Sequence, residues 1–212
     1  MALFLAVAGN IGSGKTTLTR RLVERLEVQG LYESTADNPY LADFYQEMRR
    51  YSLPLQLRFL VQRVRETRDT QLAGIAAIQD RTCYEDAGIF AANLHDRGDM
   101  DDRDWATYGM VSEQLLRGLD PPDLLVYLRR SSQSCRENIR TRGRDYEQSM
   151  PAGYLEDLGD RYDRWFEDYD LAPKMRVNAE EHDFLHSEED LEDLVGRIKG
   201  SLPQPMLPFA VD

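Results

Sequence analysis

The sequence predicts an α/β fold: a doubly wound, parallel, five-stranded sheet flanked by helices. Three observations carry that expectation. Strand patterns alternate with helix patterns along the chain, residues 3–8 form an unbroken apolar run that stops at Gly9, and residues 124–128 form a second such run just after a turn. Strands buried on both faces read as continuous apolar runs, and strand–helix alternation sets them parallel.

The elements follow in order. Residues 3–8, Leu-Phe-Leu-Ala-Val-Ala, form the first strand. A helix is predicted over 16–29, where Leu18, Leu22, Val23 and Leu26 recur at helical spacing and Gly30 offers a stop. Residues 31–33 give a short second strand that ends on the carboxylate of Glu33. Helices over 41–50 and 53–72 come next, the longer one striped by Leu57, Leu60, Val61 and Val64. The third strand, 74–79, delivers Asp80 and Arg81 at its end. Helices 83–94 and 105–119 flank a charged loop, and a turn over 120–123 leads into the fourth strand, 124–128. Helical patterns cover 132–142, 151–169 and 188–202, with a short last strand at 175–177. There is no repeat, low-complexity block or Gly/Ser linker, so 1–202 reads as one domain. The tail 203–212 holds Pro203, Pro205 and Pro208 and is expected to lie extended.

The chain has 212 residues, with 26 Lys+Arg against 38 Asp+Glu for a net charge of −12. Neutralising a phosphate backbone needs a basic surface, so nucleic acid is not an expected partner. With 42% apolar residues the chain is too hydrophobic for a disordered tail. No apolar run approaches the roughly 20 residues of a membrane span, and no basic segment precedes the first strand as in a secretory signal. Cys83 and Cys135 cannot build a disulfide framework or a Cys-only zinc site. The expected setting is therefore cytoplasmic, without a membrane partner.

Gly9, Asn10, Ile11, Gly12, Ser13, Gly14, Lys15 and Thr16 complete the pattern G-x-x-x-x-G-K-[ST] between a strand and a helix. Glycines let successive N–H groups face phosphates, and the helix N-terminus adds a favourable dipole. Lys15 is expected on the β- and γ-phosphates and the Thr16 hydroxyl on Mg²⁺. The chemistry is that of a nucleoside triphosphate with Mg²⁺.

Ligands of open α/β sheets gather beyond the carboxyl ends of the strands. Those ends offer Glu33 as a base, Asp80 as a second Mg²⁺ ligand and Arg81 as a bridge between base and phosphate. Arg140, Arg142 and Arg144 surround the hinge residue Gly143 and suit a lid that closes over phosphates, because planar guanidinium groups pair with phosphate oxygens two at a time.

These segments together resemble the deoxyribonucleoside kinase family over residues 5 to about 202. The likeness rests on the loop 9–16, on Glu33, on Asp80-Arg81-Thr82, on the lid 142–148 and on Tyr154-Leu155-Glu156-Asp157-Leu158. One departure is Ser34, where the family often has proline. The resemblance implies a P-loop kinase-type fold with an arginine-rich lid, and ATP held by the loop and Thr17. It also implies a nucleoside pocket. Gln56 would bind the base edge, Tyr45 and Glu147 the sugar 3′-hydroxyl, and Arg63 and Asp86 would form a charged pair beside the base, on which Phe90 stacks. Asp183 and Phe184 fall in the loop that packs on the ATP base. A homodimer is implied as well, in line with apolar faces expected to be exposed on helices 53–72 and 83–94.

The mechanism expected from these roles has Glu33 deprotonate the deoxyribose 5′-hydroxyl, which attacks the γ-phosphate while Lys15, Arg81, Arg142 and Arg144 stabilise charge. In the family, an Arg/Asp pair accompanies purine or cytidine substrates, and Phe59 resembles bacterial members acting on purines. Deoxyadenosine and/or deoxyguanosine is therefore expected, with deoxycytidine or a broad range as the alternative. A thymidylate-type monophosphate kinase is disfavoured because Glu33 would repel a phosphorylated acceptor. A P-loop regulatory module is disfavoured because the guanine-reading Asn-Lys-x-Asp string is absent.

Overall fold

The computed structural model describes residues 2–33, 38–184 and 186–202. Ser34 and the tail 203–212 lie outside the described residues. Five strands, β1 Phe4–Ala8, β2 Gln29–Leu31, β3 Ala77–Asp80, β4 Leu124–Arg129 and β5 Lys174–Asn178, form one parallel sheet in the order β2-β3-β1-β4-β5. Val7 pairs with Asp80 on one side and Val126 on the other, so β1 is central and every residue in it is buried.

Side chains alternate between the faces of a strand. Leu5, Val7, Leu124 and Val126 meet Leu18 and Leu22 of α1 (Lys15–Leu26) and residues of the C-terminal helix Glu188–Ser201. Ala6, Ala8, Leu125 and Tyr127 face a second core with the remaining helices. These are α2 Leu41–Phe44, α3 Met48–Ala73, α4 Cys83–Glu85, α5 Ala92–Asp96, α6 Asp102–Leu116 and, beyond α7 Ser132–Arg142, which packs through Cys135 and Ile139 on Leu155 in a cluster of its own, α8 Tyr154–Asp168, with Glu188–Ser201 as α9. The fold class is the expected one.

Several local details differ from the sequence-based expectation, among them the third strand, which starts at Ala77 because Gly74 caps α3. The turn after α1 comes at Glu27, whose left-handed φ of 51° ends the helix before Gly30 is reached. The strand therefore starts at Gln29, and Glu33 stands two residues beyond its end. Gly30 sits inside β2, where a Cβ would lie 2.5 Å from the Tyr32 ring. The helix predicted over 41–50 breaks after Phe44, and α3 then runs unbroken from Met48 through Pro54 to Ala73. Losing the one hydrogen bond that Pro54 cannot donate is tolerable because its acceptor would be the carbonyl of exposed Arg50.

The segment predicted as one helix over 83–94 is helical throughout, but its pitch changes within it. A π-helical turn, Asp86–Ala91, separates α4 from α5. π-helical turns tend to occur at functional sites. Gly88 in that turn packs so closely on Trp165 that a Cβ would come within 2.8 Å of it. The apolar side chains Cys83, Ile89, Phe90 and Leu94 are all buried within the chain, so only the first of the two faces expected to be exposed is so, through Val61 and Leu72 of α3. Finally, α6 starts at Asp102 rather than 105, because Asp101 accepts from the N–H groups of Arg103 and Asp104. No helix among the described residues is long and apolar enough to cross a membrane.

Candidate active site

The loop between β1 and α1 turns on glycines in the left-handed region, with φ of 79° at Gly12 and 99° at Gly14. A Cβ on Gly12 would strike the Cys135 carbonyl at 2.4 Å, which fixes that residue as glycine. Side chains from elsewhere hold the loop. Asn10 donates to the Leu155 carbonyl at 2.8 Å, Asn138 to the Gly12 carbonyl at 2.8 Å, and Arg130 to the Ser13 carbonyl at 3.0 Å. Lys15 curls over the loop and donates to the Asn10 carbonyl at 2.7 Å. Burial, reinforced by the neighbouring Arg81, pushes its ammonium down to about 8.

At the strand ends, Thr16 Oγ1 donates to Asp80 Oδ2 at 2.5 Å. A hydroxyl and a carboxylate oxygen, side by side next to the phosphate loop, fit Mg²⁺, which takes one or two protein oxygens and completes its shell with water and phosphate. Arg81 has a left-handed φ of 77°, rare for a non-glycine residue. Its Nε lies 3.7 Å from Glu33 Oε2, and its guanidinium stands 4.3 Å from the Phe90 ring centroid. Arg63 Nη2 is 3.5 Å from Glu33 Oε1. Burial pushes the Glu33 carboxyl up, but Arg81, Arg63 and Lys15 outweigh it and hold the group below its ordinary range.

A cavity of about 190 Å³ opens beside Glu33, lined by Tyr45, Gln56, Phe59, Asp86, Phe90 and Glu147 among others. Gln56 is almost fully buried, yet its Oε1 has no hydrogen-bond partner. Such an orphan acceptor is costly unless a ligand satisfies it. Arg63 is not on the lining. Its Nε and Nη2 donate to the two Asp86 oxygens at 2.8 and 3.1 Å, so Asp86 faces the cavity and Arg63 supports it from behind. Burial lifts the Asp86 carboxyl to about 6 against the pull of Arg63. The Tyr45 phenol is pushed well up, by burial first and then by Tyr154 and Glu147, and stays protonated.

A second cavity, of about 520 Å³, lies on the other side of the loop and includes Thr17, Arg130, Asp183 and Phe184. Gly12, Lys15, Thr16, Arg20, Arg142 and Arg144 line both cavities, so the two meet at the phosphate loop. Arg142 and Arg144 flank Gly143, the left-handed C-cap of α7. Arg142 reaches Glu147 at 2.6 Å and Arg144 reaches it at 3.7 Å. Arg140 lines neither cavity. It borders a groove with Arg136 and Leu155 instead, because it projects from a different side of α7.

Three residues at the site were not singled out from the sequence. Glu85, fully buried, forms a capping box with Thr82, accepting from Thr82 N–H at 2.7 Å. The T-x-x-E spacing was the available signal. Tyr162, fully buried on α8, donates to Glu85 Oε1 at 2.7 Å, and nothing in the local sequence marks it. Arg130, just past β4, spans from Ser13 to the Ala179 carbonyl, which it reaches at 2.6 Å.

A sequence model of the family described as deoxynucleoside kinase matches residues 5–202. The deoxyadenosine/deoxycytidine kinase of Bacillus subtilis (strain 168) is 35% identical over 196 residues, covering 92% of this chain and 90% of the relative. The deoxyguanosine kinase of Lactobacillus johnsonii is 35% identical over 209 residues, covering 94% and 92%. Among solved structures, a deoxyadenosine kinase from M. mycoides with products dCMP and a flexible dCDP bound superposes with a TM-score of 0.83 at 26% identity, covering 93% of this chain and 100% of that one.

Proposed function

The chain belongs to the deoxynucleoside kinase family, and on that premise we propose that it transfers the γ-phosphoryl group of ATP to the 5′-hydroxyl of a purine deoxyribonucleoside, deoxyadenosine and/or deoxyguanosine. The observation that carries this reading is the Glu33 carboxylate, kept ionised by Arg81 and Arg63 beside the cavity that meets the phosphate loop.

With the nucleoside in the smaller cavity and ATP along the loop, Glu33 accepts the 5′-hydroxyl proton. The freed oxygen bonds to the γ-phosphorus as the bond to the β,γ-bridging oxygen breaks, and ADP leaves. Lys15, Arg81, Arg142 and Arg144 neutralise charge on the transferring group, so catalysis is mainly positioning and electrostatics. Thr16 and Asp80 would hold Mg²⁺, which would supply positive charge to the phosphates.

Gln56 offers its orphan acceptor, and its amide donor, to the base edge. Tyr45 and Glu147 take the 3′-hydroxyl, and Phe59 and Phe90 give the base apolar faces. Asp86 accepts from an amino group at the purine 6-position, which adenine carries and guanine, with a carbonyl there, does not. Cytosine carries the corresponding amino group, so deoxycytidine is the second reading. For ATP, Thr17, Asp183 and Phe184 lie on the donor side, and the position of Arg140 argues against a direct part for it. We also infer one kinase domain across 1–202, a cytoplasmic homodimer, and small-molecule partners only.

Phosphoryl transfer from labelled ATP to deoxyadenosine, deoxyguanosine, deoxycytidine, thymidine and thymidine monophosphate tests the reading. Phosphorylation of a purine nucleoside supports both the reaction and the pocket. Phosphorylation of pyrimidines alone keeps the reaction and refutes the base assignment. Activity on the monophosphate only makes the protein a monophosphate kinase.

A further inference from the structure

We propose that Tyr162 and Glu85 are positioning residues that hold the Arg81 guanidinium away from a closed ion pair with Glu33. The proposal rests on the reading that Arg81 and Glu33 serve phosphoryl transfer.

Arg81 carries a left-handed backbone, pinned by its N–H donating to the Val7 carbonyl at 3.0 Å. Its side chain then lies between two carboxylates. Nε is 3.7 Å from Glu33 Oε2, and Nη1 is 3.7 Å from Glu85 Oε1. The Tyr162 hydroxyl breaks this symmetry, because it accepts from Arg81 Nη1 at 2.6 Å and donates to Glu85 Oε1 at 2.7 Å. Each group in the chain Arg81–Tyr162–Glu85 thus has its hydrogen-bond direction set by the next.

The anchor itself is rigid. Glu85 accepts from the Thr82 N–H at 2.7 Å and from the N–H of Gly9, where the phosphate loop begins, at 3.4 Å. The Tyr162 ring is fully buried, stacked on Tyr127 at 5.6 Å and 7°, with edge contacts to Phe90 and Trp165. Three separate elements, the end of β3, α4 and α8, therefore converge on one guanidinium. Without the hydroxyl, Arg81 is free to close on Glu33 and occupy the oxygens that must accept the 5′-hydroxyl proton. A guanidinium and a carboxylate left to themselves favour the two-point pair.

Tyr162→Phe tests this, because it keeps the ring and its stacking and removes only the bridging hydroxyl. The expected result is a kcat lower by about 10–100-fold with KM for nucleoside and ATP within about threefold, the signature of lost positioning rather than lost binding. Glu85→Gln, which keeps the side chain's shape, is expected to lose at least as much. Tyr127→Phe is the control: its hydroxyl donates to Asp163 in the same aromatic stack, and its kcat is expected to stay at the wild-type level. A wild-type kcat in Tyr162→Phe overturns the proposal. So does an equal fall in Tyr127→Phe, or a loss carried wholly by KM. A wild-type protein that phosphorylates no nucleoside overturns the kinase reading instead, and the proposal with it.

Discussion

Glu33 Oε2 lies 3.7 Å from Arg81 Nε, bringing together a residue just past β2 and the residue just past β3. With Arg63 and Lys15 adding to Arg81, the carboxyl is held below its ordinary range although burial opposes this. A base must be ionised to act, and Glu33 is ionised throughout the neutral range. Glu33→Gln is expected to lower kcat by about two to four orders of magnitude while the nucleoside Kd changes by only a few-fold. Single-turnover kinetics beside direct nucleoside binding checks this, and near-normal turnover removes Glu33 from the role. Because its folded pKa is depressed, the carboxylate stabilises the fold above its unfolded pKa, and that contribution fades as pH falls through the folded value. The variant should therefore lose less stability on acidification than the wild type.

Lys15 bears on nucleotide binding rather than on the fold. Burial and Arg81 lower its ammonium to about 8, whereas bound phosphates would raise it again. Below that pH the group is charged with or without nucleotide, so binding moves few protons. Above it, nucleotide binding must take up a proton, and affinity for ATP should fall by about tenfold per pH unit until the bound-state pKa is reached. Titration calorimetry at pH 9, in buffers of differing ionisation heat, should find uptake close to one proton. Absence of uptake would show that Lys15 keeps its charge in the free protein.

Arg63 and Asp86 are a buried pair with two hydrogen bonds. Asp86→Leu alone leaves the buried Arg63 guanidinium with only its 3.5 Å contact to Glu33, at an expected cost of about 3–5 kcal/mol in denaturant unfolding. Adding Arg63→Met should recover most of that stability, since an apolar pair of similar volume removes both desolvation penalties. The double variant should nevertheless lose its preference for purines over thymidine. An unchanged ranking of nucleosides in a folded double variant would sink the pocket assignment.

Light scattering at micromolar concentration should report twice the chain mass. Val61 and Leu72 leave apolar surface on α3, although the apolar side of the segment from Cys83 to Leu94 is used inside the chain. A monomer in that measurement ends the homodimer proposal.

Legibility of the sequence followed from how local each requirement was. The phosphate loop could be read because its backbone accepts only glycine at Gly12, and neighbouring residues declare the motif. β1 and β4 could be read because strands buried on both faces need unbroken apolar runs. The starts of α7 and α9 are set by Ser131 and Ser187, whose side chains accept from backbone N–H groups three residues on. The shift of β2 could not be read, because Glu27 takes a conformation that its residue type does not announce. Nor could the π-helical turn, which depends on Gly88 fitting against Trp165 from α8.

By itself, the sequence determined the parallel α/β fold and the phosphate loop, through patterns that each span a few residues, whereas the residues lining the smaller cavity were named only through the family resemblance. Tertiary structure alone decided how the buried charges are shared. Arg63 stands behind Asp86 rather than in the cavity, Arg140 points away from the loop, and Tyr162 joins Glu85 to Arg81. Arg63 and Asp86 are 23 residues apart, and Tyr162 is 81 and 77 residues from Arg81 and Glu85. A buried guanidinium takes whichever acceptors the packing of β3, α4 and α8 brings within reach, and no short stretch of sequence specifies that packing.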